Sequence, residues 1–280
     1  MRNIKHRLAL AVATAALVGL TSQASAQGGT PSVADLSAKL ENLERATMAS
    51  RDRAAVENLF SRYMYLHNAF QDAAIIPLWA KKGTPGISAQ YSNLGKYTNW
   101  DSIMAYHRDR PSPVGKLVFH YVTTPVIEVA GDGQTAKGLW IVNGLESGLT
   151  KPEHAANMPD WMHEPNIEID GKKVWMHNVY LKYGVDFIKQ DGEWKIWHFH
   201  CFEVARAPYS MGWIPFAAAA QDDSFNFDLM YIGDDGKPVF MPKPDEPVTV
   251  RNNTYRTDTA QTLEARPPEP YHTFSETFSY

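Results

Sequence analysis

Apolar residues recur at intervals of three and four in the first part of the chain and at intervals of two in its middle. After residue 30, Leu36, Leu40 and Leu43 keep helical spacing and predict a short amphipathic helix. Ser50 is placed to cap a second helix reaching about Phe70. Its stripe is Val56, Leu59, Phe60, Tyr63, Met64 and His67, so Tyr63 and His67 project from one face, one turn apart. A short helix is expected around residues 75–81, closed by Gly83. Asn99 caps a third, with Trp100, Ile103, Met104 and His107 on one side.

After Pro113 the period shortens. Residues 117–122 and 126–129 are β-like, and Asp132-Gly133 marks a turn. Residues 136–146 alternate, with Ala136, Gly138, Trp140, Val142, Gly144 and Glu146 on one face. A polar loop of about 25 residues follows, holding His154, Asp160, Trp161 and His163; a loop so long is functional or a lid. Residues 174–189 form a long strand with Asn178, Tyr180, Lys182, Gly184 and Asp186 on one side. Asp191-Gly192 turns the chain into residues 194–204. There Trp194, Ile196, His198, His200 and Phe202 share one face, and Trp197, Phe199, Cys201 and Glu203 the other. Helices first, then long antiparallel strands joined by hairpins, predict an α+β domain.

The two ends differ from this middle. Arg2, Lys5 and Arg7 precede an apolar run from Leu8 to Leu20, and Ala24-Ser25-Ala26 follows. That order predicts a cleavable export signal over residues 1–26, hence a periplasmic or secreted protein. No twin-arginine pair accompanies it, so export in the unfolded state is expected, which disfavours a cofactor inserted beforehand. Residues 27–49 read as a leader and short helix, 50–205 as the α+β domain and 206–280 as an extended arm. The arm holds nine of the chain's 18 prolines, and its many aromatic rings should pack on the domain or on a neighbouring subunit. Among 280 residues, 27 Lys and Arg stand against 31 Asp and Glu, a net charge of −4 that becomes −7 without Arg2, Lys5 and Arg7. No nucleic-acid partner is expected, nor a membrane partner after signal cleavage. The lone Cys201 allows no intrachain disulfide.

Chemistry-bearing residues form three groups. His198 and His200 share a strand face that should be covered, which suits acid/base groups, metal ligands or an ordinary core histidine. With Glu203 they are similar to a cupin iron site, but Glu203 comes too early and alternates onto the opposite face, so no metal is expected. Tyr63, Tyr65, His67 and Asn68 form the second group; a tyrosine at a cavity wall can polarise a carbonyl or protonate a leaving group, and the stripe is otherwise plain core. Lys182, Asp186 and Tyr180 form the third: on a covered face Lys182 would have a lowered pKa or would pair with a carboxylate such as Asp186 or Glu146, and on a solvated face these are surface charges. His120 stands at a strand start, and His177 and His163 carry weaker signals. No glycine-rich nucleotide loop or Gly-x-Ser-x-Gly nucleophile motif occurs.

Four segments in order resemble the SnoaL-like branch of the nuclear-transport-factor-2-like superfamily. They are Ala55-Val-Glu-Asn-Leu-Phe-Ser-Arg-Tyr63; His120 with the following Thr-Thr-Pro-Val-Ile-Glu-Val-Ala-Gly-Asp132; Ala136-Lys-Gly-Leu-Trp140; and Asp186-Phe-Ile-Lys-Gln-Asp-Gly-Glu-Trp-Lys-Ile196. The resemblance implies a cone-shaped roll of curved antiparallel sheet wrapped by N-terminal helices around one deep pocket. It brings Tyr63, His120 and His198 or His200 to that pocket. Dehydratase-like members carry an aspartate where this chain has Asn68, so His67, Lys182 or Glu146 must substitute. Arg266-Pro-Pro-Glu-Pro-Tyr271, ending an aromatic arm, is similar to SnoaL-like proteins of bacteria that degrade aromatic compounds, among them lyases of lignin-derived diarylpropanes. Those need no cofactor and release water and formaldehyde to leave a stilbene. That chemistry would place Lys182 with Tyr180 or Tyr183 near a phenol, His198 or His200 as acid, and His67, His120 or Glu146 as base. Trp100, Trp140, Trp175 and Trp194 would face the aryl groups. The partners expected are a small aromatic substrate and further copies of the chain, as dimer or trimer. Rival readings are a dehydratase or isomerase of another hydrophobic hydroxy or keto compound, and a non-catalytic binder of aromatic compounds.

Overall fold

The computed structural model describes residues 32–91, 94–108, 114–155, 162–219, 230–232, 238–240, 243–247 and 255–280. The leader read as an export signal, and Asp160 and Trp161 of the long loop, lie outside them. The chain divides into two compact units, ending and starting at Glu44 and Arg45. In the first, Ser32 and Asp35 form a reciprocal cap, with the Asp35 N–H on Ser32 Oγ at 3.1 Å and the Ser32 N–H on Asp35 Oδ2 at 3.1 Å. Leu36, Leu40 and Leu43 are exposed there.

The expected break at Ser50 is absent: one helix, α1, runs Val33–Asn68. Neither Gly nor Pro occurs within it, and Ser50 is one polar residue in a run of good helix formers. Then come α2 (Asp72–Ile75), a 3₁₀ turn (Ile76–Leu78), β1 (Ser88–Tyr91), β2 (Lys96–Tyr97), α3 (Trp100–Arg108), β3 (Leu117–Val129), β4 (Thr135–Thr150), α4 (Pro152–Ala155), β5 (Glu168–Ile169), β6 (Lys172–Gln190) and β7 (Glu193–Pro208). The arm contributes α5 (Trp213–Ala219) and a small hairpin, β8 (Met230–Ile232) and β9 (Pro238–Phe240). The main sheet has the order β2-β1-β7-β6-β4-β3, with β5 on β6. It is curved and unclosed. Its pairs are antiparallel except β1 on β7, which is parallel.

Three irregularities depart from simple alternation. The two β-like runs after Pro113 are one strand, β3, kinked where register shifts between Thr123 and Val126. In β7, Trp197 and Val204 are extra residues against β6, which pairs Phe187 with Ile196, Asp186 with His198, Leu181 with Glu203 and Tyr180 with Ala205. The Trp197 bulge corrects the expected face. Trp194 and Ile196 join the core with Phe199 and Cys201, whereas His198, His200 and Phe202 lie on the opposite side.

From Arg45 onward α1 packs on the inner face of the sheet. Phe60 sits 4.3 Å from Trp140 and meets Tyr183, Phe187 and Phe199. Asp52 accepts from Trp194 Nε1 at 2.9 Å and Lys189 Nζ at 2.8 Å, tying the helix to the β6–β7 hairpin. The arm packs on its own domain. Asp245 receives the Thr98 N–H and the Ser102 hydroxyl at the start of α3, at 2.7 Å each. Further on, Tyr280 lies on Gly184, where a Cβ would approach its ring to 2.3 Å.

Candidate active site

Two polar clusters lie on opposite faces of the main sheet. The inner one is built on β3, β4 and β6 beneath the end of α1. His120 points inward opposite Gly144, and a Cβ there would come within 2.2 Å of the imidazole. That space lets the ring cross to Glu146, its Nε2 lying 3.0 Å from Oε1. A carboxylate only accepts, so Nε2 carries the proton and Nδ1 accepts from the Tyr183 hydroxyl at 3.1 Å. The result is a Tyr183–His120–Glu146 relay.

Asn68, the last residue of α1, aligns it. Its Nδ2 donates to the His120 carbonyl at 2.7 Å, and its Oδ1 accepts the His120 N–H at 3.0 Å. Since β3 is an edge strand, this carboxamide stands in for the peptide of a next strand. His67, one residue earlier, stacks on Tyr63 at 6.0 Å and lies 5.5 Å from His120.

Behind the relay, Arg206 donates to Glu146 and, at 3.1 Å, to Glu203. The Val204 bulge turns this arginine inward; plain alternation puts it on the face of Phe202. Burial pushes the Glu146 carboxyl up, but the Arg206 guanidinium and the His120 bond outweigh it and hold it well below the usual range. His177 gives its Nε2 proton to the Met162 carbonyl at 3.0 Å; burial, with Arg206 beside it, pushes it down to about 4. Burial drives the Tyr183 phenol well above its ordinary value, helped by Cys201 and Tyr63. A neutral phenol, an imidazole and a fixed carboxylate form a unit that can give and retake one proton.

The outer cluster centres on Asp186, which accepts from Lys137 at 2.6 Å, from His198 Nδ1 at 2.9 Å, and from the Ser279 hydroxyl and Tyr280 N–H at 3.0 Å each. Phe274, Phe278 and Tyr280 cover the Lys137 ammonium, 4.4 to 5.2 Å from it. Burial lowers Lys137, against the pull of Asp186. His200 accepts from Gln90 at 2.8 Å and is pushed down to about 3 by burial and the Lys96 charge.

The candidates from sequence thus separate. Tyr63, His67, Asn68, His120, Trp140 and Glu146 gather on the inner face, where Trp140 is core against Phe60. His198, His200, Lys182 and Tyr180 lie on the outer face, because positions of one parity in β6 and β7 share it. Lys182 pairs with neither Asp186 nor Glu146; it donates to the Glu264 carbonyl, and burial lowers it. Tyr180 meets Trp213 edge-on, and Tyr65 is 80% exposed. Trp100 lies between Lys82 and Arg108, and Trp194 anchors Asp52. Trp175 lies against His177 and Gly148. Sequence reasoning missed Arg206, Lys137 and the relay role of Tyr183. Glu146 was legible, since alternation puts it on the face of Trp140 and Gly144. Among the described residues no group of three or more His, Cys, Asp or Glu is arranged to hold a metal ion.

Solved structures similar to this chain include a candidate scytalone dehydratase of Novosphingobium aromaticivorans DSM 12444, with 12% identity over 59% of this chain and 91% of that one, at a TM-score of 0.42. Another is a hexachlorocyclohexane dehydrochlorinase of Novosphingobium barchaimii LL02, with 16% identity, 59% and 94% coverage and a TM-score of 0.42. A third is a candidate dehydratase of the NTF2-like family from Streptomyces avermitilis, with 12% identity, 56% and 98% coverage and a TM-score of 0.40. No curated protein matches the sequence. Residues 48–200, which hold the last part of α1, the histidine at the head of β3 and the β6–β7 turn, match the model of the SnoaL-like domain, so the chain belongs to that family.

Proposed function

We propose that the protein is a cofactor-independent lyase that uses the Tyr183–His120–Glu146 relay to eliminate water from a hydrophobic aromatic alcohol. The observation that carries this reading is the relay itself: a buried phenol on an imidazole, backed by a carboxylate that Arg206 keeps ionised. Around it stand the rings of Phe60, Tyr63 and Phe199.

The substrate proposed is a 1,2-diarylpropane-1,3-diol with a para-phenol, and one relay serves both of its bond cleavages. The ionised phenol of the substrate expels the benzylic hydroxyl, which leaves as water on taking the Tyr183 proton, and a quinone methide remains. Tyr183 is then a buried phenolate, a strong base. It takes the proton of the neighbouring primary hydroxyl as the carbon–carbon bond breaks. Formaldehyde departs, the bonding pair forms the central double bond, and the quinone methide returns to phenolate. Atoms balance as stilbene, water and formaldehyde, and Tyr183 regains its proton.

The test is to incubate chelator-treated protein with the erythro diol, following stilbene absorbance and formaldehyde together. Equal amounts of both products, lost on His120→Gln, support the reading. Neither product from a folded sample removes this substrate. Products from the His120→Gln protein at the wild-type rate remove the relay.

A further inference from the structure

On the outer face of the sheet, away from the relay, the arm roofs a cavity of about 740 Å³ lined by residues of β1, β2 and β7 and of the arm. His198 is 5% exposed and faces it. Its Nδ1 proton goes to Asp186, a carboxylate already fixed by Lys137, Ser279 and the Tyr280 N–H. Nε2 is left as the acceptor, and among the described residues it has no hydrogen-bond partner. Gly86 lies beside it without covering it; a Cβ there would stand 3.6 Å from Nε2. The neighbouring His200 is not equivalent, since Gln90 already occupies its Nε2. Phe202 and Phe278 supply apolar wall. The charged lining residues, Lys96, Arg266 and Glu264, are of both signs and select no strongly charged ligand.

We propose that this cavity is a second ligand site, independent of the relay, that takes a small phenol: its O–H donates to His198 Nε2 and its ring lies against Phe202 and Phe278. The site asks for one donor on an apolar, flat body, and a phenol is the simplest molecule of that kind. It does not depend on the lyase reading, because the two clusters share no residue.

The test is calorimetric titration of the full-length protein with 2-methoxyphenol and with 1,2-dimethoxybenzene, the same ring without the O–H. Both titrations are repeated on His120→Gln, which disables the inner relay, and on His198→Asn. Asparagine keeps an N–H where Nδ1 stood, so Asp186 stays paired, but it removes Nε2. The phenol is expected to bind at least tenfold tighter than the diether in wild-type and His120→Gln protein, and to lose at least tenfold in His198→Asn. Equal binding of the two ligands, loss of phenol binding in His120→Gln, or unchanged binding in His198→Asn each overturns the proposal. Should His198→Asn fail to fold, the two-ligand comparison on the other proteins decides it. Loss of turnover with the outer site intact, or the reverse, separates this proposal from the lyase reading.

Discussion

At the scale of single residues, the inner relay depends on a pairing that neighbours enforce. Gly144 has an ordinary backbone role, yet its missing Cβ makes the space that His120 fills. Gly144→Ala is expected to lower turnover by about 10²-fold, measured as stilbene formation, because the imidazole must leave Glu146. Acid also reaches the site in a definite direction. Glu146 is depressed, so its contribution to stability is whole above about 4.5 and is lost as pH falls through its lowered value. His177 and His200 are depressed to about 4 and about 3, so the unfolded chain takes up protons from 6.5 downward before the fold does. That too removes stability on acidification. Melting temperature is therefore expected to fall steadily from about pH 7 to 4, and less steeply in His200→Gln, which still accepts from Gln90 but cannot titrate. Identical slopes in the two proteins would refute the assignment of His200.

At the scale of elements, α1 holds the fold and the site together. Phe60 meets four rings of the sheet, and Phe60→Ala is expected to cost about 3–5 kcal/mol in a denaturant titration. Asn68→Ala should cost about 1–3 kcal/mol, since it unpairs two backbone groups of the edge strand β3. Its turnover should fall by more than that loss of stability explains, which the two measurements on one sample will show. The helical stripe was readable because its period needs no partner to be seen. The bulges at Trp197 and Val204 were not, because an extra residue in one strand is defined only by register against the other. Hence the sequence puts Trp194 beside His198, and the structure separates them.

At the scale of the whole molecule, the arm is part of the domain. Its last residues cage Lys137 and complete the hydrogen bonding of Asp186. Truncation after Tyr271 is expected to leave a buried ion pair facing water and to lower the melting temperature. Lys137→Ala strands a buried carboxylate, at about 3–5 kcal/mol. A truncated protein as stable as the full chain would show the cage to be dispensable.

The sequence by itself determined the order of helices and long antiparallel strands, the inward stripe of α1, the inward face of β4 with Trp140 and Glu146, and the family. Each of these rests on a local period or a local motif, which one segment carries alone. Only the tertiary structure decided that Asn68 clamps the backbone of His120, that Glu146 is its carboxylate, and that His198 and Lys182 belong to the far side of the sheet. Those outcomes depend on which strand pairs with which, and in what register. A one-residue bulge exchanges the faces of a strand, and no pattern within that strand records it.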